Sequence, residues 1–148
     1  MCTNDAADES TLTVPVTSRL EPDVLAAVRM RASRTRRSRS ETISELIRLG
    51  LNVLRYPGIT FVDGPAGLRA HEAGTGVDVW EVVMVHRAHG YDDGALQQHL
   101  PQLSRRQLRV ALAYYGDHRE EIDAILRKQE RAPDEWSRGM GGLRPPGV

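Results

Sequence analysis

One cysteine, one phenylalanine and no net charge are what this chain of 148 residues has least of, and the shortages exclude whole classes of protein. The sole thiol, Cys2, stands among polar residues, so neither a disulfide framework nor a cysteine-based metal centre is expected. No apolar run approaches the roughly 20 residues that span a bilayer. The first residues carry acids where a secretory leader carries bases, so a cytoplasmic place without membrane contact is expected. Basic and acidic side chains number 20 each, and that balance argues against a non-specific polyanion binder.

The neutrality hides a segregation. Three acids lie in the first ten residues. From Arg19 to Arg55 there are nine arginines against four acids, Glu21, Asp23, Glu41 and Glu45. From Tyr56 onward eleven Arg or Lys face thirteen acids. Opposite-signed segments imply separate tasks, the basic one facing nucleic acid.

That basic stretch has a pattern. Val14, Val16, Ser18 and Leu20 alternate with Pro15, Thr17 and Arg19, the period of a strand. A lone strand leaves its backbone groups unpaired, so a second chain is expected beside it. Pro22 suits the first turn of a helix carrying Val24, Leu25, Val28 and Ala32. Ser38 and Glu41 form a capping box, after which Ile43, Leu46, Ile47, Gly50, Leu51 and Leu54 recur at helical spacing.

This order, over about Thr13 to Leu54, resembles the ribbon-helix-helix family of DNA-binding repressors. The resemblance implies that two chains pair their strands into a ribbon entering the major groove. Its outward positions, Pro15, Thr17 and Arg19, would meet base edges, although proline offers no donor. Arg19 can donate a bidentate pair to guanine, and Thr17 can bond a base or pack on a thymine methyl. Ser38, Ser40 and the first N–H groups of the second helix, with Arg36, Arg37 and Arg39 beside them, are the expected phosphate contacts.

Pro57 and Gly58 mark a boundary. Ile59–Val62 and Leu68–His71 around a glycine-containing turn predict a hairpin. Val77–Gly90 reads as a helix too apolar for one stripe and so central to a core. A short helix follows over Asp92–Leu100, then one capped by Ser104, then a last one over Asp117–Glu130. The stretch Tyr56–Glu130, with Pro57-Gly58-Ile59, Gly74-Thr75-Gly76, Leu103-Ser104 and Ala113-Tyr114-Tyr115, resembles the trihelical domain of unknown function found in antitoxins partnered with PIN-type toxins. A helix-turn-helix reading makes Arg105, Arg106 and Arg109 a possible second DNA surface.

Catalysis finds little support. His86, His89 and His99, with Glu81, lack the HExxH spacing of a metal site. Asp63, His71 and Asp78 are joined only by nearness in sequence. No cofactor, no metal and no enzymatic activity are expected. In the final stretch, Trp136, Met140 and Leu143 are spaced apolar anchors with Arg138 and Arg144 beside them. By the antitoxin resemblance they are the toxin-binding residues, with Arg138 first to neutralise an acidic metal cluster.

The expected fold is therefore mainly α: a β-α-α ribbon-helix-helix, intertwined as a dimer, then a small hairpin with a trihelical, helix-turn-helix-like domain. Residues 1–10 are expected as a disordered tail, 11–55 as the DNA-binding and dimerisation domain, 56–130 as the hairpin and helical domain, and 131–148 as a flexible partner-binding tail. The expected function is that of a type II antitoxin: it binds double-stranded operator DNA as a homodimer or higher even oligomer to repress its own operon, and neutralises a PIN-type ribonuclease toxin. The alternative is a stand-alone ribbon-helix-helix regulator whose second domain oligomerises or senses a ligand.

Overall fold

The computed structural model describes residues 13–64 and 67–139, with side chains up to residue 131. The elements run α1 (Pro22–Thr35), α2 (Arg39–Arg55), β1 (Ile59–Gly64), β2 (Gly67–Glu72), β3 (Val77–Asp78), α3 (Val79–Ala88), α4 (Asp93–His99), α5 (Arg105–Asp117) and α6 (Arg119–Gly139). The chain divides into two compact units, Met1–Glu45 and Leu46–Val148.

In the first unit, Pro22 opens α1, where a missing N–H costs nothing. The helix stops at Arg36, which turns into the left-handed region at φ 54° while its N–H donates to the Ser33 carbonyl at 3.3 Å. That conformation costs an L-residue about 1–2 kcal/mol, and glycine is relieved of it. Arg36→Gly should accordingly raise stability by about 0.5–1 kcal/mol, once glycine's extra freedom in the unfolded chain is set against the relief. The measurement is the urea midpoint at unchanged m-value; a lower midpoint would show that the arginine side chain holds the turn. Beyond it the Ser38 N–H donates to Glu41 Oε2 at 2.9 Å and the Glu41 N–H to Ser38 Oγ at 3.1 Å, a closed capping box. Glu45 accepts from Arg31 at 2.6 Å and from Arg37 at 2.8 Å, tying α1 and the turn to α2.

The second unit is a three-stranded sheet in the order β1-β2-β3 with helices packed against it. β1 and β2 pair antiparallel from Ile59↔Glu72 to Gly64↔Gly67, and β3 adds two residues, His71↔Asp78 and Glu72↔Val77. Gly58 makes the entry possible: its φ of 102° is closed to most side chains. Helix α3 packs on β2, α4, α5 and α6. Val79, Val82 and Val83 are buried there with Leu96, Leu103, Leu108, Ala111, Tyr114 and Ile122, so burial overrides the weak helix propensity of a valine-rich segment. Ser104 caps α5 through a second closed box with Gln107. Helix α6 continues to Gly139, beyond the Glu130 at which the periodicity ends the last helix. No helix among the described residues is long and apolar enough to cross a membrane.

This order corrects the expected fold. It is α-α, then β-β-β, then α-α-α-α, and not a β-α-α ribbon-helix-helix followed by a trihelical unit. Residues 13–21 contain no strand. Alternation sets which side chains share a face, but a strand exists only where backbone groups find a partner, and none is supplied there. Val14 and Val16 are 78% and 86% exposed. The sheet has three strands because the residues after the Gly74–Gly76 turn pair once more before α3 begins.

Candidate functional site

Three places in the second unit concentrate chemistry. The first is a buried carboxylate hub at the junction of β3 and α3. Asp78, 5% exposed, accepts from His71 Nδ1 at 2.9 Å and from Trp80 Nε1 at 3.0 Å, and forms an ion pair with Arg69 at 3.2 Å. Its own N–H donates to Glu81 at 2.8 Å, which starts α3. Next to His71 along β2, on the opposite face of the strand, lies Glu72, fully buried, with neither carboxylate oxygen hydrogen-bonded. Burial pushes the Glu72 carboxyl up to about 7, with the charge of His71 opposing it.

The second place is a cleft of about 720 Å³ between α4 and α5. Leu96, Leu108 and Leu112 make it apolar, Arg105 and Arg109 stand on the α5 side, and Asp93, Gly94, Gln97 and Gln98 on the α4 side. Asp93 is engaged by His86 Nε2 at 3.0 Å.

The third is the outward side of α2. Its Tyr56 end is anchored: the Tyr56 hydroxyl bonds Asp117, and its ring meets that of Tyr114 edge-on at 5.1 Å. Ile47, Leu51 and Leu54 are 58%, 60% and 79% exposed, with Leu46 and Val53 also at the surface. Gly50 stands among them, with nothing within 4 Å of where a Cβ would lie.

The residues singled out by sequence are distributed unevenly. Pro15, Thr17 and Arg19 lie exposed on the segment before α1, which has no regular secondary structure. Arg36, Arg37, Ser38, Arg39 and Ser40 do gather, at the α1–α2 turn. There the Ser38 hydroxyl is committed to the capping box and Arg37 to Glu45. The Ser38 backbone N–H, and secondly its hydroxyl, hold the Glu41 carboxyl below its ordinary range, so an anion of the chain's own sits at this helix start. Arg105 and Arg109 line the cleft, while Arg106 is exposed outside its lining. Trp136 and Arg138 fall on the backbone of α6, beyond the described side chains, and Met140, Leu143 and Arg144 lie outside the described residues.

Sequence reasoning missed the hub. It weighed His71 and Asp78 only as neighbours along the chain, whereas β2–β3 pairing sets them side by side. The available signal was the turn with Gly74 and Gly76, both at φ 75°, which folds the chain back on itself. His89 and His99 also meet, with ring centroids 3.8 Å apart. No group of three or more His, Cys, Asp or Glu that could hold a metal occurs among the described residues.

A family described as "Protein of unknown function (DUF433)" matches residues 69–115, from β2 to near the end of α5, which is under half of the chain. No curated protein and no solved structure matches. These findings overturn the antitoxin and repressor expectation together with the family resemblance behind it. The segment that was to form a DNA-reading ribbon forms no strand, and nothing in the comparisons links the chain to ribbon-helix-helix proteins or to PIN-type toxins. What the chain resembles, over most of β2, β3, the hub and the cleft but not β1, is a family without an assigned function.

Proposed function

We propose that this chain works by assembly and not by catalysis: it is a cytoplasmic interaction module that pairs with a second copy of itself through α2. The observation that supports the reading most is the apolar face of α2, on which Ile47, Leu51 and Leu54 are more than half exposed. Each large aliphatic side chain moved from water into a contact contributes about 1.5–3 kcal/mol, and a contiguous apolar face of this kind marks an interaction site.

A second copy fits because the stretch maps onto itself when reversed about Gly50. In an antiparallel crossing there, Leu46 lies opposite Leu54 of the other copy, Ile47 opposite Val53, and Gly50 opposite Gly50. Such self-complementarity is what a two-fold, isologous contact requires. The glycine, with open space at its missing Cβ, lets the two backbones approach closely. This contact is between helices and owes nothing to the segment before α1.

Sedimentation of the full chain tests it. A dimer is expected at micromolar concentration, with Leu51→Glu and Leu54→Glu each raising the dissociation constant by on the order of 100-fold, the cost of setting a charge in an apolar contact. Unchanged helix content by circular dichroism shows that the variants fold. A monomer at all concentrations, or a dimer indifferent to both substitutions, would refute the proposal.

A further inference from the structure

β1 is an edge strand: among the described residues it pairs only with β2. The Ala73 N–H donates to the Gly58 carbonyl at 2.9 Å, so Gly58 turns its backbone toward β2. By alternation Thr60 and Val62 do the same, and Ile59 and Phe61 turn theirs the other way. An edge of this kind is ordinarily blunted by a lysine, a proline or a bulge. Ile59-Thr60-Phe61-Val62 holds neither residue, and its register with β2 runs without a bulge. One side of the strand is apolar, with Ile59 buried and Phe61 packed on the core.

The same chain carries a segment with the complementary deficit. Residues 13–20 alternate as a strand does and are exposed throughout, Val14 at 78% and Val16 at 86%. Two separate features say how it meets β1. Val14 and Val16 share a face, which suits the side of β1 that carries Ile59 and Phe61. Pro15 has no N–H and must turn its nitrogen away from a partner strand. In an antiparallel ladder, residues that exchange hydrogen bonds lie directly opposite and on the same face. The valines therefore bond Phe61 and its neighbours while Pro15 turns away, and the apolar phase and the proline phase agree. A parallel ladder in the same phase calls on the Pro15 nitrogen instead.

We propose that residues 13–18 of a second copy add to the outer edge of β1 as a fourth, antiparallel strand, with Val16 opposite Phe61, Thr17 opposite Thr60 and Pro15 opposite Val62. Each copy holds both halves, so a reciprocal exchange covers two edges at once. The contact shares no residue with the exposed face of α2 and does not rest on it.

Cross-linking between copies tests the register, and covalent trapping records even a weak association. In a Cys2→Ser background, Thr17→Cys chains mixed with Thr60→Cys chains should form a mixed disulfide, because opposite residues that exchange no hydrogen bond bring their Cα atoms to about 4.5 Å. Ser18→Cys, whose side chain leaves the other face, should react with Thr60→Cys on the order of 10-fold more slowly. Val16→Pro removes the donor to Phe61 and should slow the Thr17–Thr60 reaction by on the order of 10-fold. Residue 16 precedes α1 in a stretch without regular structure, so this proline leaves the fold intact. Leu51→Glu should leave the reaction unchanged. No mixed disulfide, equal rates at positions 17 and 18, indifference to Val16→Pro, loss in Leu51→Glu, or closure within a single chain carrying both cysteines at high dilution would each overturn the proposal.

Discussion

Replacing Asp78 by alanine is expected to cost about 3–5 kcal/mol, a large fraction of the stability of a domain this size. Asp78 is 5% exposed and holds two donors, His71 on β2 and Trp80 in the first turn of α3, and an ion-paired arginine, Arg69 on β2. Alanine removes the acceptor and leaves the donors behind. A buried donor without a partner loses its water and gains nothing in return. The arginine is 39% exposed and can turn to solvent, so most of the loss comes from His71, 19% exposed, and from Trp80. Asp78→Asn keeps an acceptor for Trp80 and the shape of the side chain, and should cost less, about 1–3 kcal/mol. Urea denaturation followed by circular dichroism gives both values. A loss below about 1 kcal/mol for alanine would mean that the hub is incidental to the β3–α3 junction.

How much of this was legible in the sequence depends on the range of each interaction. The capping box at Ser38–Glu41 and the cap at Ser104 are devices a few residues long, and their hydrogen bonds are where the sequence puts them, although the return bond from the Ser104 N–H to Gln107 was not read. Pro22, the buried valines of α3 and the turn between Ile59 and His71 were readable for the same reason: each is decided within one or two turns of chain. The residues before α1 show the limit. Their alternation is that of a strand, yet pairing is a property of two segments, and pattern in one of them does not produce the other. The reverse error hid β3, whose two residues are too few to show any alternation although they are paired. The exposed side of α2 was read as an amphipathic stripe, and periodicity cannot say whether such a stripe is covered. The cleft depends on Leu96, Leu108 and Leu112, whose spacing along the chain carries no record of their meeting across two helices.

Glu72 was not foreseen as special, although its position follows from β2: the strand alternates, and Ala70 and Glu72 share the buried face. A carboxylate there is at odds with its surroundings. It is 0% exposed, and neither oxygen finds a donor. Its carboxyl is pushed up to about 7 from an ordinary value of 4.5. Below about pH 4.5 the folded and unfolded chains both carry the proton, and the group imposes no charge penalty. Between about 4.5 and 7 the folded chain retains a proton that the unfolded chain has released, so stability falls as pH rises. Above about 7 the full penalty is present, about 3 kcal/mol at the usual 1.36 kcal/mol for each pH unit between the two values. Glu72→Met removes the ionisable group and nearly keeps its volume. The stability difference between Glu72→Met and the parent chain should therefore grow by about 3 kcal/mol from pH 4.5 to pH 8, the variant being the more stable at the upper end. Taking the difference cancels every other titrating group that the two chains share. Glu72→Gln should show the same loss of pH dependence with a smaller gain, because its amide still lacks partners. A difference that stays constant across this range would show that Glu72 reaches water or a donor in solution, and that the interior of the sheet is wetter than its packing implies.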